Sequence, residues 1–532
     1  MRKLKRLLLN TIAIGSLALL STCSNLDGGF DEIRWQMNFD LVKTSWDVQF
    51  KDAASGELIG SDSDLRVEVY ITGPDQSNIL DLAGIRQERF YSTKGFLGLL
   101  LHPDQTEPDE NTPVQFTLHA KIDGYLPVHV PIEAYSTGIN PVEVMLVNLD
   151  LSPIGVNVLH LENAGKFVFG LLHDSITLYT PGNRLEVIIP RGIQMLDKNG
   201  EALTGNMDVT LALWDGMIES AVEALPGGPL ALLDINDYKI AIKQPASQLF
   251  LVIKDQYGKE AVTFSENIRA TFLLDPMVFN PEENRLIWPD DILPVYLLNN
   301  QNGSWSQESI VSLESFQNKV LAKINLQKTG TFHFGWMDRN YCQYPLNLEF
   351  TTLPEYNTLP YSFRLKLYRN VNGIFQYLYS FGITGAASES SQMRYLPVGS
   401  ELILRFEPYL NCALPYYKTP DAVLLTGECN EHPILQNDLI PIPPGEIREL
   451  QVIFIDTEHN NTNYIPSLLA GYYRNHDSDC WQSAMVYQGI TYLFNVEPGE
   501  VYELGINYKG EYHYEELSIT DSGTMYVEIE IN

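Results

Sequence analysis

The chain is 532 residues long, 45% hydrophobic, and carries 67 acidic against 35 basic side chains, a formal net charge of −32. That length exceeds one ordinary core and points to three or four domains, and the apolar share is that of a globular protein rather than a disordered coat. The acidity excludes nucleic acid as a partner, because a surface of that sign repels a phosphate backbone.

Residues 1–6 hold four basic side chains, Arg2, Lys3, Lys5 and Arg6, and residues 7–20 form a short apolar run. This is the order of a secretory signal peptide, and the run falls short of the about 20 apolar residues that a spanning helix needs. It ends in Leu20-Ser21-Thr22-Cys23. That tetrapeptide resembles the lipobox of bacterial lipoproteins, although Thr22 stands where Gly, Ala or Ser is usual. The resemblance implies removal of residues 1–22 and acylation of the Cys23 thiol, with palmitate-type chains as the membrane contact. Several chains are carried by such a cysteine, which suffices where one alone binds marginally. Residues 23–37 form an acidic tether, and its SNLDGGFDE stretch is similar to the export signal of Bacteroidetes-type surface lipoproteins. The expected location is therefore the cell outer membrane, lipid-anchored and surface-exposed.

Past the tether, strong periodicity is of period two. Residues 65–72 (LRVEVYIT), 114–122 (VQFTLHAKI) and 142–147 alternate apolar with polar side chains. So do 185–189, 209–213, 363–368, 402–406, 450–454 and 526–531. Short alternating runs bounded by Gly, Pro, Asn and Asp are strands, and no long helical pattern appears outside the signal. The expectation is an all-β protein, a string of antiparallel β-sandwich domains behind a lipoprotein signal peptide.

Four segments separate. Residues 38–150 contain WDVQFKDAASGELIGSD and close around DGYLPVHVPI. This pattern resembles carboxypeptidase-regulatory-like (transthyretin-like) sandwiches, whose modules act as spacers or contact surfaces. Residues 151–340 run from LEVIIP through DKNG and LTG to LPGG, then PVYL, NGSW and GTFHFGW. That order is similar to ZU5-like domains and to cartilage intermediate layer protein. Some ZU5 domains cut their own chain at His-Phe-Ser, where the serine hydroxyl attacks the preceding carbonyl. The matching residues here are His333, Phe334 and Gly335. Glycine has no hydroxyl, so the turn is inactive and the chain stays whole. The plainer reading, that Phe332, Phe334 and Trp336 form one face of a last strand, leads to the same result. Residues 345–444 and 446–532 read as two further sandwiches, the last weakly regulatory-like, separated by the stiff IPIPPG stretch.

Besides Cys23 there are four cysteines, Cys342, Cys412, Cys429 and Cys480. An exported chain permits two disulfides in three connectivities, with Cys412–Cys429 preferred as a hairpin closure. No G-x-S-x-G, H-E-x-x-H or phosphate-cradling motif occurs, so no catalytic residue, cofactor or metal is assigned. His476-Asp477-Ser478-Asp479-Cys480 reads as a polar loop, and Asp62 with Asp64 as a solvated turn, rather than metal sites. Tyr472, Tyr473 and Trp481, with Tyr416 and Tyr417, are the candidate ligand-binding aromatics, to be weighed against ordinary core positions. The function expected is a non-catalytic envelope lipoprotein with a protein or surface partner. A glycan-binding lipoprotein of a carbohydrate-uptake system is the alternative.

Overall fold

The computed structural model describes residues 43–531 apart from 62, 64, 83, 317–318, 343, 353–359, 372, 387–389, 409–416, 427–433, 442–445, 457–461, 466–467, 478–480, 488, 509–510 and 521–524. The signal, the tether and Cys23 lie outside them. Strand makes up 63% of the structure and helix 2%, so the all-β expectation holds. The runs at 114–122 and 185–189 lie on the strands Val114–Lys121 and Leu185–Ile189.

The first sandwich faces two four-stranded sheets. One orders Ile79–Asp81, Phe96–Leu101, Thr44–Asp52 and Gly138–Leu146; the other orders Phe90–Tyr91, Glu68–Thr72, Val114–Lys121 and Val128–Ala134. Alternation turns Trp46, Val48 and Phe50 into a core shared with Phe116 and Leu118. The Trp46 and Phe116 rings meet edge-on at 5.0 Å. Truncating Phe116 to alanine costs about 3–5 kcal/mol by the usual large-to-small scale.

A seven-strand path and a five-strand path, each with one side strand, form the next sandwich over residues 156–338. Its spine is the strand Lys239–Asp255, buried along most of its 17 residues. Lys239–Asp255 pairs with Gly330–Asp338, which carries the His-Phe-Gly tripeptide. Phe332, Phe334 and Trp336 point into the core and His333 points to the opposite face, as period two requires. Opposite Pro245 and Ser247 the register slips, and Gly335 sits there at φ 152°. A Cβ at Gly335 would stand 2.2 Å from the Gln244 carbonyl oxygen. A serine does not fit this position without displacing backbone.

The third core gathers Leu346, Leu348, Phe363, Leu365, Leu367 and Leu404, from a three-stranded and a four-stranded sheet. The fourth, around Leu450, Val452, Phe454, Leu504 and Ile529, lies inside one eight-stranded sheet whose halves join through the single pairing Tyr487–Ile490.

Among the described strand pairs most are antiparallel, but three are parallel: Thr44–Asp52 with Gly138–Leu146, Leu346–Thr351 with Ile434–Asp438, and Glu446–Asp456 with Met525–Ile531. Each joins an opening strand to a late one. When those two run the same way, the chain enters at one end of the unit and leaves toward the other, which favours a serial array. The array nevertheless folds back, since Phe96 of the first sandwich stacks on Tyr472 of the last at 4.4 Å.

Candidate functional site

Three sandwiches meet around a cavity of about 830 Å³, within the roughly 300–1,000 Å³ typical of ligand pockets. Its walls are the edge strands Val128–Ala134 and Gly138–Leu146, the turn 225–230, and the edge strands Ile374–Ala386 and Ser390–Met393.

One end is closed by charge. The single helical turn Glu219–Glu223 stops before Leu225-Pro226-Gly227, and its four-residue spacing sets Glu219 and Glu223 on one face. Lys366 reaches Glu219 at 2.7 Å, Glu223 at 3.2 Å and Glu407 at 2.8 Å. Arg364 reaches Glu143 at 2.9 Å and Glu223 at 3.3 Å, and Lys51 completes the chain on Glu143. Burial alone would lower the Arg364 guanidinium, but the carboxylates of Glu143 and Glu223 outweigh it and hold it above its ordinary range. Lys366 is raised in the same way, burial opposing and Glu223 prevailing.

The other end is built on Arg394. Its guanidinium lies 3.6 Å from the Tyr135 ring centroid, in the stacked geometry that suits a planar cation. Beside it Glu133 accepts from Gln115 at 2.7 Å. Burial lifts the Glu133 carboxyl to about 7, against the pull of Gln115, Tyr135 and Arg394. Tyr395 sits at φ 60°, a left-handed conformation that costs about 1–2 kcal/mol in an L-residue. The Tyr379 hydroxyl donates to the Arg394 carbonyl at 2.6 Å and the Tyr395 carbonyl at 3.1 Å, pinning that turn.

A second polar junction joins the first sandwich to the outer face of the middle one, and its ionisable groups are buried. Lys243, fully buried, donates to the carbonyls of Pro226 at 3.1 Å and Gly228 at 2.5 Å and lies 4.4 Å from the Trp305 ring centroid. His119 and His129 touch through their Nδ1 atoms at 2.6 Å, and Thr72 bonds the other nitrogen of His119 at 2.7 Å. Burial, then mutual repulsion, presses His119 to about 3; burial, then Lys243, presses His129 to about 4. Burial also drives Lys243 and His333 well below their usual values. His119 and His129 are thereby held in their neutral forms at neutral pH.

Of the candidate aromatics, Tyr472, Tyr473 and Trp481 are buried, which removes them as a stacking platform; Tyr416 and the Tyr417 side chain lie outside the described residues. Tyr472 and Tyr473, neighbours on the strand Leu468–Asn475, face opposite ways and both are covered. Tyr473 enters its own core, while Tyr472 and Trp481 pack on Phe96 of the first sandwich. Arg474 lies over the Trp481 ring at 4.7 Å. Cys342 is buried and disulfide-bonded; Cys412, Cys429 and Cys480 lie outside the described residues, as do Asp62, Asp64, Ser478 and Asp479. His476 pairs with Glu503 at 3.0 Å. Among the described residues no group of three metal-ligating side chains comes together.

Trp288, which periodicity does not flag, is 69% exposed. Its turn is stiffened by buried Asp291, which accepts from Arg285 twice, at 2.6 and 2.9 Å, from Asn280 at 3.1 Å and from the Trp288 amide at 2.9 Å. The Trp-Pro-Asp-Asp run was its sequence signal.

No protein-family model matches the chain, and no curated protein is similar to it in sequence. Neither the regulatory-like nor the ZU5-like resemblance is therefore accompanied by a family match. Solved structures do align. A streptococcal ancillary pilin shares 11% identity over 46% of this chain and 94% of its own, with a TM-score of 0.15. The shaft pilin SpaA of Lactobacillus rhamnosus GG shares 8% over 36% and 98%, at 0.20. The major pilin subunit of Bacillus cereus shares 9% over 92% and 99%, at 0.15. At these scores the chains do not superpose as wholes, and no function passes from them to this one.

Proposed function

We propose that this chain is a non-catalytic, lipid-anchored protein of the cell envelope that presents β-sandwich modules to a protein or surface partner. The observation that supports this most is how the buried charges are used. Glu143, Glu223, Arg364 and Lys366 come from three sandwiches and neutralise one another across the junction, which is the work of a clamp between modules. A face held by such a clamp has less ordering entropy to lose when a partner docks. The signal peptide, the lipobox-like tetrapeptide and the acidic tether supply the anchor and its outward address.

Labelled palmitate fed to producing cells tests the anchor, and protease treatment of intact cells tests the address. Label is expected in the full-length chain, absent from Cys23→Ala, with digestion from outside. An unlabelled wild-type chain would end the anchor; a labelled chain that resists external protease would place it on the inner face. Glycan binding is the second reading, favoured by Trp288, an outward indole on a stiff turn among Glu282, Glu283 and Asp290.

A further inference from the structure

At the Arg394 end of the cavity a buried cation is left with part of its hydrogen-bonding edge unused among the described residues. The Arg394 side chain is 19% exposed and held flat on Tyr135. Stacking uses the face of a guanidinium and leaves its edges. Nε and Nη2, the two N–H groups of one edge, are buried and have no hydrogen-bond acceptor among the described residues. Glu110 stands 3.6 Å from Nη2, beyond hydrogen-bond reach, with its own side chain half in solvent. Glu133, which lines the same cavity, keeps Oε2 without a hydrogen-bond donor among the described residues. Two parallel N–H groups on a rigid plane match the two oxygens of a carboxylate.

The rest of the lining narrows the ligand. Asp109, Glu110, Glu133, Glu143 and Glu223 outnumber Arg364 and Arg394, so a multiply charged phosphate would be repelled. A single carboxylate is tolerated if its body offers O–H donors to Glu133 and Glu110. Tyr135, Tyr379 and Phe381 line the same space and supply flat apolar contact for the C–H face of a ring. The left-handed backbone at Tyr395, next to Arg394, is the kind of held strain that gathers at binding sites.

We propose that this cavity binds an acidic monosaccharide of the hexuronate class, Arg394 taking the carboxylate as a two-point fork and Glu133 accepting from ring hydroxyls. The inference does not depend on the lipid anchor, and the soluble chain from Ser24 onward tests it directly. Isothermal titration with glucuronate, galacturonate, glucose and glycylglycine distinguishes the sources of the carboxylate. Saturable binding of a hexuronate is expected, with glucose and the dipeptide each weaker by roughly tenfold or more, the scale of a charged hydrogen-bond pair. Arg394→Gln should weaken the hexuronate by roughly ten- to a hundredfold, its fold checked by thermal unfolding. Glu133→Gln, which keeps the side-chain volume, should narrow the gap between hexuronate and dipeptide even if Arg394→Gln misfolds. No hexuronate binding at millimolar concentration, tighter binding of the dipeptide, or unchanged affinity in a folded Arg394→Gln chain would each overturn the proposal.

Discussion

The two polar junctions face one physical problem, burying ionisable groups between sandwiches, and answer it differently. Around Lys243, His119 and His129 burial works against charge: the two imidazoles are held neutral at neutral pH, the Lys243 ammonium is pushed below its ordinary value, and carbonyls, a hydroxyl and an indole surround them. Around Arg364 and Lys366 the groups keep their charge and set it against carboxylates from neighbouring modules. A neutral seam can close completely. A charged one keeps counter-ions in view, and it is beside this one that the cavity lies. The contrast teaches that ionisable groups at module boundaries are glue in both cases, by opposite means, and the cavity has the charged network at one end.

Removing a partner should therefore cost more at the charged junction. Arg364→Met leaves Glu143 and Glu223 without one of their cations, and a loss of about 3–5 kcal/mol is expected in urea unfolding. Lys243→Met removes a buried donor and strands two carbonyls, for about 1–3 kcal/mol. Equal losses from the two substitutions would break the comparison.

The histidine junction and the far end of the cavity should also respond oppositely to pH. His119 and His129 have folded-state values below the unfolded one, so their contribution is whole above about pH 6.5 and is lost as pH falls toward 4 and then 3. Glu133, at the cavity, is raised, so its contribution is whole below about pH 4.5 and is lost as pH rises through about 7. Melting temperatures followed from pH 4 to 8 should show His119→Asn with His129→Asn flattening the acid limb. Glu133→Gln should flatten the limb between pH 5 and 7.5. A shared effect of both variants on one limb would contradict the assignment. The smallest effect belongs to a solvent-exposed pair: Lys323→Ala, which frees Glu314, should change stability by no more than about 1 kcal/mol.

The fold class is legible in the sequence because most strands have one wet face, and alternation records it. Leu185–Ile189 is found by that signal alone. The central strand Lys239–Asp255 is not, because both its faces are covered and its pattern is a long buried run. Tyr472 and Tyr473 mislead for a related reason. Polar neighbours in sequence suggest exposure, but the last sandwich docks on the first, and sequence does not report a contact between residues as distant as Phe96 and Tyr472. The cavity is illegible on the same ground: Tyr135, Glu223 and Arg394 come from three modules and carry no local motif. Gly335 shows what the sequence does carry. Its missing hydroxyl is visible at once, and the 2.2 Å approach of the Gln244 carbonyl explains why a side chain is absent there.

Whether the junctions make one body of the first three sandwiches is best measured by differential scanning calorimetry of the chain from Ser24 onward, wild type beside Arg364→Met. One cooperative transition for those sandwiches in the wild type, split in the variant, is the expected result. Separate transitions already present in the wild type and unmoved by the substitution would contradict the clamp, because modules that melt independently are not held by the charges between them.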